Sequence, residues 1–369
     1  MAKNPLHTKL CDSLGIEYPI IAFTHCKDVV AAVTNAGAFA VMGQTQNTPD
    51  AIAADIKWLR ERVGGRPFGI DLVLPASVPA TGTIEDLKAR IPKPQREYTE
   101  AIKLRYGLAA PKAQPFVEQL GWLTQDVPRK QLEVVLDEKV AVLASGLGSP
   151  AFILEAAHAR GMQVWGLVGK ARQAKREFEA GVDAVIAQGY DAAGHTGTIG
   201  TFSLVPQVVA LAGGRPVIAA GGVTTGRHLA AAITLGACGV WTGTLWLASR
   251  ESDKEMEVKE RILAASAEDT THSACVSGFT MRTLRTKWHE EWERPEAPKP
   301  APAPFQLLLS GEVMQAAKEA KLEGWVGEAA GQGVGFVTSM KPARQIVFDT
   351  VEEALAVFEE ITGVAPGGD

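Results

Sequence analysis

Cysteine is scarce in this chain. Four residues, Cys11, Cys26, Cys238 and Cys275, are scattered through 369 with no CxxC pair. That is too few for a disulfide scaffold and wrongly spaced for a zinc ribbon, so they read as small buried residues in a reducing compartment. Long apolar runs are missing too. No stretch reaches the roughly 18 consecutive apolar residues of a membrane span, and residues 1–15 lack the apolar centre of a secretory signal. A soluble, cytoplasmic protein with no membrane partner is expected. Nor is there an excess of positive charge: 37 Lys and Arg stand against 42 Asp and Glu, a formal net charge of −5. A nucleic-acid partner gripped by bulk charge is therefore not expected.

What the chain has is apolar mass and glycine. With 46% hydrophobic and 21% charged residues it can bury a large core and is not intrinsically disordered. Its 37 glycines are about a tenth of the chain, above the usual share of roughly 7%. They follow no collagen period, so they mark tight turns and places where backbone approaches a ligand.

Short apolar runs alternate with helical patterns. Strands are expected at 19–24, 38–42, 67–73, 139–144, 163–168, 182–187, 216–220 and 238–242. Helices are expected between them, near 27–35, 49–62, 150–161, 171–180, 203–212 and 225–235, with 251–265 closing the series as helix eight. Thr48-Pro49 and Ser149-Pro150 have the order of an N-cap followed by proline at the first helical position. Gly37, Gly161, Gly181 and Gly236 read as helix ends. The strands are near-continuous apolar runs, as in a parallel sheet covered on both faces. Eight βα units select an α/β fold, a (β/α)8 TIM barrel, over an open doubly wound sheet, and place the active site at the C-terminal strand ends.

Two regions exceed a minimal barrel. The insertion after strand three, 74–138, is expected to hold one barrel helix near 114–136 and an irregular excursion over the mouth. The C-terminal extension, 294–369, reads as a proline-rich linker (294–304), a helix near 310–322, a glycine-rich turn and a last helix opened by a Thr350/Glu353 capping box. The expected division is a barrel over 1–293, insertion included, with the 294–369 extension packing on it.

The chemistry gathers after strands six to eight. Gly221 and Gly222 end strand seven, and Trp241, Thr242, Gly243 and Thr244 end strand eight. Barrels commonly bind phosphate with these two loops, because backbone N–H groups without a neighbouring Cβ can point at an anion. Tight turns alone would also explain a single Gly-Gly. The loop after strand six, 188–197, carries His195 among Gly189, Gly194 and Gly197. A histidine there can serve as a general base near neutral pH. His25, just after strand one, is a second candidate. Lys170, at the end of strand five, could meet an anionic cofactor. There is no GxSxG elbow, His289-Glu290-Glu291 lacks the second histidine of HExxH, and 331–335 is not a Rossmann fingerprint.

In these segments the chain resembles the nitronate monooxygenases, FMN-binding barrels formerly called 2-nitropropane dioxygenases. The resemblance is carried by AAVTNAGAFAVMG (31–43), GVDAVIAQGYDAAGHTG (181–197), 216–252 and AGQGVGFV (330–337). It implies FMN, with the phosphate on Gly222 and Trp241–Thr244. It implies that Gln188, Ala193 and Gly194 line the flavin and that His195 takes the catalytic-histidine position. The chain also departs from the family pattern. Asp71 replaces the usual Asn at the end of strand three, removing two donors beside the flavin. Phe23-Thr24-His25 replaces Ala-Pro-Met, Thr196 replaces an Arg, and Met281-Arg282 replaces Gly-Arg.

Three functions follow as expectations. The first is FMN-dependent oxidation of alkyl nitronates by O2. The second is a flavin reductase using NADH or NADPH on a quinone or enoyl thioester. The third is a non-catalytic flavin-binding barrel. The partner in the first two is a small molecule, no metal is expected, and a homo-oligomer is compatible with the sequence.

Overall fold

The computed structural model describes residues 4–74, 84–113, 115, 126–146, 148–325 and 327–363. In chain order the strands are β1 (Ile20–Thr24), β2 (Phe39–Gly43), β3 (Gly69–Asp71), β4 (Val142–Ser145), β5 (Gln163–Val168), β6 (Ala184–Gln188), the two-residue β7 (Gly194–His195), β8 (Val217–Ala220), β9 (Gly239–Thr242), β10 (Thr270–Ser273) and β11 (Met281–Leu284). All but β7, β10 and β11 pair in parallel and close in the order β1-β2-β3-β4-β5-β6-β8-β9. This is the expected α/β barrel. Pro19, Pro67 and Pro216 stand just outside their strands, since proline offers no N–H to a ladder.

Alternation along each strand sorts side chains between two cores. Inward residues, among them Ile21, Phe39, Val41, Val142, Trp165, Ile186 and Ile218, fill the barrel. Leu10, Cys11 and Leu14 of the Lys9–Leu14 helix belong to the same cluster. Outward residues such as Ile20, Ile70, Leu143 and Val185 meet the surrounding helices. Each fully buried aliphatic or aromatic side chain contributes about 1.5–3 kcal/mol.

Helices form where the local signals put them. Lys27–Asn35 and Ala171–Ala180 match their expected bounds, and Thr48 accepts from Ala51 N–H at the head of Pro49–Val63. Ser149 also caps, but it opens a 3-10 turn (Pro150–Ile153) before the short Leu154–His158 helix.

Four expectations need correction. Helix eight is not 251–265: the Met256–Ala264 helix there packs with 330–337. Instead Ala343–Thr362 packs on the Gly226–Thr234 and Lys27–Asn35 helices and supplies Ile346, Val347, Val351 and Ala354 to the outer core. Secondly, Thr350/Glu353 is no capping box. Thr350 lies inside that helix, donating to Ile346 C=O, and Glu353 accepts from Gly226 N–H at the head of a different helix. Thirdly, the insertion is largely helical where described, with Ile84–Ala89, Lys93–Tyr106 and Asp126–Glu138. Tyr98 and Ile102 pack with Trp288, Trp292, Val313 and Trp325, forming a side cluster with the later chain. Gln114, where the barrel helix was expected to begin, lies outside the described residues. Finally, the expected 310–322 helix runs over Phe305–Glu319.

No expectation covered the second sheet, in which antiparallel β11 joins β10 to β7. No helix among the described residues is long and apolar enough to cross a membrane.

Candidate active site

The last inward residues before the strands end form a floor. Phe23 and Trp241 stack at 5.3 Å with an interplanar angle of 22°, and Leu167 completes the apolar part. Gln188 and Asp71 supply its polar groups. A cavity of about 950 Å³ opens above it at the C-terminal face. Every candidate catalytic or cofactor-binding residue read from the sequence lines this cavity except Thr242. Thr242 is buried in the wall: its hydroxyl donates to Ile21 C=O and accepts from Trp246 Nε1–H. Alternation turns its side chain outward when that of Trp241 faces in. None of the described residues 84–113 lines the cavity, so the expected excursion over the mouth is not seen among them.

The β8 and β9 ends make a backbone cradle. Gly221 has φ +109°, and a Cβ there would meet Thr201 Oγ1 at 2.5 Å. Gly243 differs, since a Cβ on it would meet nothing within 4 Å. The N–H groups of Gly222, Val223 and Gly243 have no backbone acceptor among the described residues. The head of the next helix is already capped by Thr225 and Glu353, so an anion would meet the loops. Thr244 Oγ1 accepts from Gly331 N–H, and Gln332 N–H donates to Asp191 C=O. The 330–336 segment therefore docks on the end of β9 and on the loop after β6, and Gly331 and Gly333 join the lining.

Gln188 braces the histidine loop, its amide donating to the carbonyls of Ala193 and His195 at 3.3 Å each. The second sheet holds the same loop from the other side, pairing Met281 with His195 and Arg282 with Gly194. Arg282 is buried, lies over the Tyr190 ring, and donates twice to Tyr190 C=O. His195 Nε2 lies 2.9 Å from Ser277 Oγ, whose hydroxyl donates to Phe279 C=O. With that hydrogen committed, Ser277 accepts from Nε2–H, which leaves Nδ1 with a lone pair. Burial lowers the His195 pKa below 6.5, so the ring is neutral at neutral pH.

His25 lies on the other flank. Its Nδ1–H donates to Gly43 C=O at 2.9 Å, and a Cβ on Gly43 would meet the ring at 2.5 Å. Burial lowers its pKa as well. Thr24 accepts from Cys26 N–H and lines the rim with Lys170. Asp71 is buried, and desolvation pushes its carboxyl up to about 7.

Reasoning from sequence did not single out Ser277, Phe279 or Gln332. A serine far along the chain carries no motif, and the glycines of 330–337 do not by themselves name a partner. Only Met281-Arg282 left a trace, as a departure from the family pattern.

An organic cofactor with a flat ring and a phosphate fits these residues. The floor offers an apolar surface, the cradle has N–H groups unclaimed by the backbone of the described residues, and Asp71 presents a buried carboxyl with no partner among them.

Comparison with known proteins agrees. The nitronate monooxygenase family profile matches residues 7–353. A Mycobacterium tuberculosis (H37Rv) protein, named provisionally as a monooxygenase, is 38% identical over 97% of this chain and 99% of its own length. A Staphylococcus aureus (Newman) protein, named with the same reserve as a nitronate monooxygenase, is 28% identical over 94% and 96%. Among solved structures, nitroalkane oxidase from Streptomyces ansochromogenes aligns with TM-score 0.79 and 26% identity over 96% and 99% of the two chains. FabK from Thermotoga maritima aligns with TM-score 0.72 and 28% identity over 97% and 99%. The non-catalytic reading is set aside: the chain is an enzyme, a flavin oxidoreductase, and belongs to the nitronate monooxygenase family.

Proposed function

We propose that this protein is an FMN-dependent monooxygenase that oxidises alkyl nitronates with O2. The observation that carries the reading is His195, a neutral imidazole whose tautomer is held by Ser277 at the wall of a flavin-sized cavity. FMN, when bound, supplies the electron and oxygen chemistry. Gly221, Gly222 and Gly243 would hold its phosphate; Phe23, Trp241, Gln188 and Asp71 would meet its ring. His195 Nδ1 accepts the α-proton of a neutral nitroalkane; protonated, the ring balances the charge of a nitronate.

The test is oxygen uptake by the FMN-loaded protein over a panel of alkyl nitronates, without nicotinamide. Uptake that follows nitronate concentration supports the reading, and none across the panel overturns it.

A reductase using NADH or NADPH is the second reading. Lys170 and Arg176 favour it, because both line the cavity and neither has an ion pair among the described residues. Such cations suit the phosphates of a nicotinamide nucleotide. Rapid anaerobic bleaching of the flavin by NADH or NADPH would select this reading over the first.

A further inference from the structure

Of the floor residues Phe23, Leu167, Gln188, Trp241 and Asp71, Asp71 alone ionises. It ends β3 between Gly43 of β2 and Ala144 of β4, its register partners, and its own C=O accepts from Gln44 N–H. Its carboxyl makes no hydrogen bond or ion pair with any described residue. The helices behind β3 meet Ile70 and Leu72, which point the other way.

The neighbouring strands bring few titratable groups to this acid. From β2, Gly43 brings no side chain, and Gln44 and Gln46 are uncharged. From the end of β4 comes Gly146. From β1 comes His25, kept neutral by burial. The cavity is also lined by Gln188, neutral His195, the cations Lys170, Arg176 and Lys254, and the acids Glu177, Asp253 and Glu328. Burial is what raises the affinity of Asp71 for its proton. A carboxyl so placed responds to whatever charge arrives on the floor.

We infer that Asp71 is the redox-linked proton acceptor of the site, taking a proton from water when the flavin above it is reduced. This rests on the reading that FMN occupies the cavity. A two-electron donor, the substrate in turnover or an electrode in the test, delivers the electrons. The flavin keeps both together with one proton and so gains one negative charge. That charge, in a poorly hydrated floor, raises the proton affinity of the neighbouring carboxylate, and Asp71 is converted from –COO⁻ to –COOH. Two protons then accompany two electrons at pH values where an uncoupled site takes one. The role is a positioning one for charge, and the family's usual Asn cannot perform it.

The experiment is spectroelectrochemical titration of the FMN-loaded full chain, wild type, Asp71→Asn and Asp71→Glu, from about pH 6 to about pH 9. Above about pH 7 the midpoint potential of the wild type should fall with pH about twice as steeply as that of Asp71→Asn. Below it the slopes should converge, because Asp71 is already protonated in the oxidised protein. Asp71→Glu should keep the steep slope. If Asp71→Asn does not fold, the wild type alone decides. Electrode reduction at about pH 8 in weak buffer with an indicator should take up about two protons per flavin, and uptake of one would overturn the inference. Parallel slopes with FMN bound overturn the role of Asp71 alone. Failure of every variant to bind FMN overturns this inference and the functional reading together.

Discussion

At the scale of single residues, the site depends on where protons sit. His195 is useful while its Nδ1 lone pair is free, so proton abstraction from a nitroalkane should fail as pH falls through its pKa. Burial has moved that pKa below 6.5. The acid limb of kcat/KM for a neutral nitroalkane should accordingly have its midpoint under 6.5, measured by oxygen uptake across pH. Ser277→Ala removes the acceptor that holds the Nε2–H tautomer. A lost hydrogen bond of this kind is worth about 0.5–1.5 kcal/mol, so kcat/KM should drop about threefold to tenfold while FMN affinity stays unchanged. An equal loss of FMN binding would show that Ser277 supports the fold more than the ring.

At the scale of elements, two glycines in neighbouring loops separate backbone demand from ligand demand. Gly221→Ala forces a side chain into left-handed backbone and against Thr201. Strain of about 1–2 kcal/mol is expected from φ alone, read as a lower Tm. Gly243→Ala meets no protein atom within 4 Å. It should leave Tm unchanged and weaken FMN binding, measured by flavin fluorescence titration; unchanged affinity would remove Gly243 from the cradle. The second sheet permits a parallel test. Arg282→Met deletes both hydrogen bonds to Tyr190 C=O while keeping most of the buried stem. Its effect should be on kcat, by about tenfold or more, because the histidine loop loses its anchor while the cradle at β8 and β9 remains.

At the scale of the whole molecule, the barrel is completed by residues that look like an appendage. The Ala343–Thr362 helix buries Ala343, Ile346, Val347, Val351, Ala354 and Val357 in the outer core. At about 1.5–3 kcal/mol for each larger side chain, that burial rivals the 5–15 kcal/mol of a typical domain. A chain ending at residue 337 should therefore be insoluble or lack near-UV circular dichroism. A soluble, cooperatively unfolding product would show instead that the helix is dispensable. The insertion and the later chain share the cluster around Tyr98, Trp288 and Trp325, which lies apart from the cavity. Substitution of Ile102 by Ala should thus cost stability, about 2–5 kcal/mol, and leave the KM for nitronate unchanged.

The sequence by itself determined what local pattern controls. Eight apolar runs, the Thr48 cap and the glycine-bearing ends of β6, β8 and β9 each follow from constraints within a few residues, where φ, hydrogen bonding and side-chain alternation act. From these came the barrel, its catalytic face and most of the cavity wall. The glycine surplus also divided usefully, into helix ends and a cradle at one face. What only the tertiary structure decided lies far apart along the chain. Ser277 meets His195 across 82 residues, and Gly226 meets Glu353 across 127. Pairing at that distance is set by the packing of whole elements and leaves no periodicity to read. The same holds for the eighth helix, where two amphipathic segments could have filled one gap and the burial of Ile346 and Val351 selected the later one.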